Sequence, residues 1–208
     1  MAERLHRVKV KICGITTVDD ALLAVQYGAD ALGLNFYPRS PRCVTLTQAE
    51  KIREVVPPEV WCVGVFVNAP RSSVEEIASR LRLDAIQFHG DEQEKELKGW
   101  GRKVIRAFRL RGGELSPQVL ACEADYLLVD AYQEGMYGGT GQTLAWDAIG
   151  ALLRDRLILA GGLTPENVAQ AVRAVRPFAV DVASGVETSP GKKDPHKLEV
   201  FISHAHTA

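Results

Sequence analysis

Short apolar runs rich in β-type residues alternate with amphipathic stretches along the whole chain, eight times over. The runs fall near 8–13, 30–35, 61–67, 84–88, 103–108, 125–130, 156–160 and 178–182. Apolar positions recur at helical spacing near 17–27, 47–56, 70–81, 91–99, 114–122, 144–152, 165–175 and 195–205. Thr47, three residues before Glu50, reads as a capping box, and Pro165 after Thr164 as proline at a first helical position. Eight units of about 26 residues each lie near the lower size of a closed barrel. The predicted fold class is α/β, a single-domain (β/α)₈ TIM barrel over residues 1–208, with 1–7 a short N-terminal extension. An open six-stranded sheet would leave two units without a place.

Successive strand residues point to opposite faces, so the pattern also sorts side chains. In the first run Val8, Val10 and Ile12 share the face expected to meet helices. Lys9, Lys11 and Cys13 share the face expected to point into the barrel. The same alternation groups Gln87 and His89 with Ala85, Val104 with Arg106 and Phe108, Tyr126 and Leu128 with Asp130, and Ala179 with Asp181. Lys11, Cys13, Arg106, Asp130 and Asp181 are thus predicted inside, near strand carboxyl ends, where such barrels keep their chemistry. An internal ion-pair network would account for Lys11, Arg106 and Asp181. It would not account for Cys13.

Composition narrows the classes. A net charge of −1 over 208 residues gives no electrostatic case for nucleic acid or an anionic membrane. The apolar runs are too short to span a bilayer, and residues 1–7 lack a signal-like apolar core, so a cytoplasmic protein is expected. Cys13, Cys43, Cys62 and Cys122 form no Cys-x-x-Cys pair and no zinc spacing with the histidines, so neither metal nor disulfide framework is expected. His204 and His206 read as part of a frayed, solvated terminus.

Two glycine-bearing turns follow the seventh and eighth runs. Gly161 and Gly162 precede Thr164-Pro165-Glu166, and Ser184 and Gly185 follow Asp181. Loops after strands seven and eight commonly hold phosphate in this barrel, and glycine lets backbone amides approach an anion. Residues 137–143, with three glycines, read as a mobile loop that closes over a site, without the Lys-Ser/Thr ending of a nucleotide-binding P-loop. Arg42, in a loop after the second run, is a candidate clamp for a carboxylate or phosphate.

The segments Lys11–Thr16, Ser40–Arg42, Val63–Asn68, Gln87–Gly90, Tyr137–Gly141, Gly161–Val168, Asp181–Glu187 and Pro190–Asp194 together resemble the phosphoribosylanthranilate isomerase family of tryptophan biosynthesis, in the family's order, from about residue 8 to 201. The resemblance implies an Amadori rearrangement of N-(5′-phosphoribosyl)anthranilate to 1-(o-carboxyphenylamino)-1-deoxyribulose 5-phosphate. It implies Cys13 as general base, Asp130 as general acid, Arg42 on the anthranilate carboxylate and Asp181 on the sugar or amine region. Gln87 and His89 would line the pocket, and amides of Gly161, Gly162, Ser184 and Gly185 would bind phosphate. No cofactor is implied; the partner is a small phosphorylated substrate, and the chain is a monomer or homodimer. Phe88 and Ala160 stand where the family more often has leucine and serine.

Chemistry sets two conditions on that pair. Cys13 needs positive neighbours such as Lys11 to ionise readily, and Asp130 needs burial to hold a proton. Two other readings suit part of the pattern: a different phosphosugar isomerase or epimerase barrel, and a non-catalytic barrel that binds a phosphorylated metabolite. The first lacks its usual first-strand aspartate or metal site here. The second would not need both Cys13 and Asp130.

Overall fold

Each apolar run forms a strand, and the strands pair in parallel and in chain order until the last returns to the first. The computed structural model describes residues 7–109, 117–130 and 153–208. The strands are β1 Lys9–Cys13, β2 Ala31–Asn35, β3 Trp61–Phe66, β4 Ala85–Phe88, β5 Lys103–Arg109, β6 Tyr126–Asp130, β7 Leu157–Ala160 and β8 Ala179–Val182. They close a barrel, with Lys11 in register with Asp181 and Ile12 with Val182 across the β1–β8 seam. The α/β single-barrel expectation and all eight strand positions agree with this architecture.

Alternation builds two cores. Val10, Ile12, Leu32 and Leu34 point outward and are fully buried beneath helices that present Ala21, Ala24, Ala49 and Ile52. Small helical residues at these contacts let the helices lie close to the strands. Val63, Ala85, Ile105, Ala107, Leu128, Ile158, Ala160 and Ala179 point inward and fill the barrel. Trp61, Tyr126 and Phe178 pack against this inner cluster, with Tyr126 stacked on Phe178 at 4.8 Å between ring centroids. The apolar plug leaves the other end of the barrel to polar side chains.

The helices are α1 Val18–Gln26, α2 Leu46–Val55, α3 Arg71–Arg80, α4 Pro117–Ala121, α5 Val168–Val175 and α6 Pro195–His206. Thr17 caps α1 through the Asp20 amide at 3.1 Å, and Asp194 caps α6 ahead of Pro195. A short antiparallel pair, β9 Glu187–Ser189 and β10 Lys192–Lys193, follows β8.

The structure corrects several local expectations. The capping box of α2 belongs to Thr45 with Gln48, and Thr47 lies inside the helix. The helix expected at 91–99 is a single 3₁₀ turn, Glu94–Leu97. Gly99 and Gly101 beyond it take positive φ (76° and 61°), which ends helical geometry. Pro165 sits in a turn rather than at a first helical position. Asn167 bonds the Thr164 amide at 2.8 Å, and α5 begins at Val168. His204 and His206 are not frayed: both lie in α6, and His204 Nδ1 sits 2.7 Å from the Pro165 carbonyl. The helix expected at 144–152 and the loop 137–143 lie outside the described residues, as do 114–116. Among the described residues, no helix is long and apolar enough to cross a membrane.

Candidate active site

The polar end of the barrel is built from the last residues of the strands. Cys13 ends β1, and the Gly14 and Ile15 amides both donate to the Gly33 carbonyl, at 2.9 and 3.1 Å, which turns the chain away just past the thiol. Gly33 is in register with Cys13. A Cβ there would approach Cys13 Sγ to 2.8 Å and Lys11 Nζ to 3.2 Å, so only glycine leaves room for both groups.

Lys11, two residues earlier on the same face, is buried and donates to Asp181 Oδ1 at 2.7 Å. Burial alone would lower the Lys11 pKa, but Asp181 and Cys13 outweigh it and leave it raised. The ammonium therefore stays charged. Around Cys13 the balance goes the other way. Burial pushes the thiol up, Lys11 and Lys193 pull it down, and the net shift is upward. Lys11 does assist the thiolate, but less than desolvation opposes it.

Gln87 and His89 project from β4 into the same space, with Gln87 Nε2 3.3 Å from His89 Nδ1. Gln87 is buried, and its Oε1 has no hydrogen-bond partner among the described residues. Burial lowers the His89 pKa, which favours a neutral ring. Asp181, Lys11, Arg109 and Asp130 all act on that ring, and the strand registers set Lys11 beside Asp181 and Arg109 beside Asp130. Asp130 ends β6, half-buried and in register with Arg109 and Ala160.

The two glycine turns are brought together. Ser184–Val186 forms a 3₁₀ turn directly after β8, and a Cβ on Gly185 would collide with the Leu163 carbonyl oxygen beside Gly162. Close backbone contact between the loops is thus built on Gly185. Nearby, Asn167 Nδ2 donates to the Gly162 carbonyl at 2.9 Å and shapes the first turn.

Arg42 reaches the rim from the β2 loop, where Ser40 Oγ accepts from its amide at 3.1 Å. Its Nε and Nη2 grip Glu187 bidentately, at 2.9 and 2.6 Å. Burial alone would raise the Glu187 pKa, but Arg42 and Lys193 hold it below the usual carboxylate range. Glu187 and Lys193 carry no role in the sequence reading, although both lie in segments that carried the family resemblance. Arg109 is missed there too, and Arg106 is misplaced. Ile105 and Ala107 face inward, so Arg106 points outward and pairs with buried Glu92.

A family model described as N-(5′-phosphoribosyl)anthranilate (PRA) isomerase matches residues 10–204. The chain belongs to that family. The N-(5′-phosphoribosyl)anthranilate isomerase of Pseudomonas fluorescens is 50% identical over 203 residues, covering 96% of this chain and 98% of that protein. A solved phosphoribosyl anthranilate isomerase in complex with reduced 1-(o-carboxyphenylamino)-1-deoxyribulose 5-phosphate superposes with a TM-score of 0.86 at 39% identity. That match covers 97% of this chain and all of the other. A Thermotoga maritima relative, described as dimeric in its parent form, gives a TM-score of 0.85 at 37% identity, covering 97% of this chain and 100% of its own. The chain is a PRA-isomerase-family enzyme of tryptophan biosynthesis with the single (β/α)₈ barrel of that family.

Proposed function

We propose that Cys13 and Asp130 are the base and acid of this isomerisation. Asp130 donates a proton to the ribose ring oxygen, the ring C–O bond breaks, and an imine forms between C1′ and the anthranilate nitrogen. Cys13, as thiolate, removes the C2′ proton that this imine acidifies. The enolamine then tautomerises to the aminoketone, with no net gain or loss of atoms or electrons. The observation that carries this reading is that Cys13 closes β1 and Asp130 closes β6 on inward faces at the same end of one closed barrel.

The remaining roles follow from chemistry and position. Arg42, oriented by Glu187, takes the anthranilate carboxylate. Amides of Gly161, Gly162, Ser184 and Gly185 take the phosphate at the paired turns. Asp181 contacts the sugar or amine region. Gln87 offers its buried Oε1 to a hydroxyl or N–H of the substrate, and neutral His89 lines the same wall. The enzyme acts in the cytoplasm on a small phosphorylated metabolite, as a monomer or homodimer.

The test is the loss of anthranilate fluorescence when freshly generated phosphoribosylanthranilate meets the wild type, Cys13→Ala and Asp130→Asn. Rapid loss with wild type alone supports both assignments. Near-wild-type turnover by either variant removes that residue from the mechanism.

A further inference from the structure

Lys193 is the most deeply buried charge in the described barrel rim, with no exposed side-chain surface. Its ammonium has three donors, and the structure supplies three acceptors from three parts of the site. The Cys13 carbonyl at the end of β1 accepts at 2.6 Å, the Ala183 carbonyl just before the Ser184 turn at 3.2 Å, and Glu187 Oε1 at 2.9 Å. Glu187 in turn holds Arg42. The Lys193 amide is anchored on Asp20 Oδ2 of α1 at 3.2 Å, so the hairpin strand that carries it is fixed from below.

We propose that Lys193 is a positioning residue that sets the spacing between the thiol base, the phosphate turn and the carboxylate clamp, through Glu187 for the clamp. The inference rests on the roles assigned above to Cys13, Arg42 and Ser184. A single substrate spans all three, with the anthranilate carboxylate at one end and the phosphate at the other. The reacting carbon lies between them. A displacement of about 1 Å in such a frame costs on the order of a hundredfold in rate. No flexible surface residue would hold this frame: a solvated lysine exchanges partners with water, whereas here each donor is already committed.

Lys193 also places positive charge near the thiol. The charged groups that bear on Cys13 are Lys11 on its own strand, Asp181 on β8, Arg42 from the β2 loop and Lys193 on β10. Removing Lys193 takes away one of the cations that favour thiolate, so Cys13 then ionises at higher pH.

The experiment compares wild type with Lys193→Met, which keeps the length of the side chain and removes its donors and charge. Cys13 alkylation by iodoacetamide is followed by peptide mass spectrometry, which separates it from Cys43, across a pH series. Protection by inorganic phosphate and by anthranilate is measured separately. The expected result is a fall in kcat/KM of on the order of a hundredfold, a Cys13 alkylation curve moved to higher pH, and weakened protection by both probes. Unchanged alkylation and protection, whatever happens to thermal stability, overturns the proposal. If Lys193→Met does not fold, Glu187→Gln carries the test. It keeps an acceptor for both neighbours but weakens the grip on Arg42, so KM rises about tenfold with a smaller change in kcat. An unchanged KM overturns the proposal in that arm. Failure of Cys13→Ala to abolish turnover would instead overturn the underlying assignment, and so the two failures are distinguishable.

Discussion

Lys11 Nζ and Asp181 Oδ1 meet at 2.7 Å across the β1–β8 seam, on residues that the closing register places side by side. The pair stands where the barrel changes from an apolar plug to a polar mouth. Its charges are out of water, so their attraction has to offset a desolvation cost of several kcal/mol per ion. Neither partner is replaceable alone.

Lys11→Met leaves the Asp181 carboxylate buried without its ammonium, and destabilisation of about 3–5 kcal/mol is expected. Lys11→Met combined with Asp181→Leu removes both charges and is expected to regain most of that loss while remaining inactive. Urea midpoints of the two single variants and the double variant give the coupling directly. Additive losses would show that the pair does not act as a unit.

Asp30, at the opposite end of the barrel, contributes to acid stability. Burial alone would raise its pKa, but the His206 ring 3.6 Å away and hydrogen bonds from Lys9 and the Val10 amide lower it to about 2. A carboxylate held below its unfolded value stabilises the fold above that value, near 3.9. The contribution fades as pH falls through the interval down to about 2. Its ion-pair partners Arg7 and Lys9 are half-exposed, so solvent screening reduces the contribution to about 1 kcal/mol. Asp30→Asn is expected to be less stable than wild type at pH 7, with the gap narrowing towards pH 2. Urea titrations across that range measure it, and a gap independent of pH would contradict the assignment.

Arg106 separates scaffold from site. It pairs with Glu92, which also accepts from the Asn68 and Gly90 amides, at 2.7 and 2.9 Å. Arg106→Met is expected to cost about 2–3 kcal/mol of stability, because Glu92 keeps its two amide donors and loses its cation. KM and kcat at a temperature where the variant is folded are expected to stay near wild type. A large fall in kcat would place Arg106 in the mouth after all.

Gly185→Ala tests the paired turns. A methyl group there meets the Leu163 carbonyl, so the two loops must part. The expected signature is a KM rise of about tenfold for the phosphorylated substrate, equivalent to roughly 1.4 kcal/mol of lost binding. Competition by inorganic phosphate should weaken in parallel. Phosphate inhibition equal to that of wild type would place the anion elsewhere.

Hydrophobic alternation by itself determined the number, order and approximate bounds of the eight strands, and with them the barrel. Period two places a residue on one of two faces without any tertiary information, so Lys11, Cys13, Asp130 and Asp181 were legible as inward groups near strand ends. Arg106 shows the limit of that reasoning. Its face was assigned with Val104 and Phe108, but nothing in β5 alone says which of its two faces turns inward; the inner packing of Ile105 and Ala107 decides that. The helix after β4 was lost in the same way. Its amphipathic pattern is present, yet Gly99 and Gly101 and the Glu96–Trp100 contact stop it after one turn. Only the tertiary structure joined Lys193 to Cys13, 180 residues away, and Glu187 to Arg42, 145 residues away. Contacts of that range depend on barrel closure and on the path of the β9–β10 hairpin, and local pattern carries no record of either. The ionisation of Cys13 belongs to the fold for the same reason: it is the balance between burial, Lys11 on its own strand and Lys193 brought from β10.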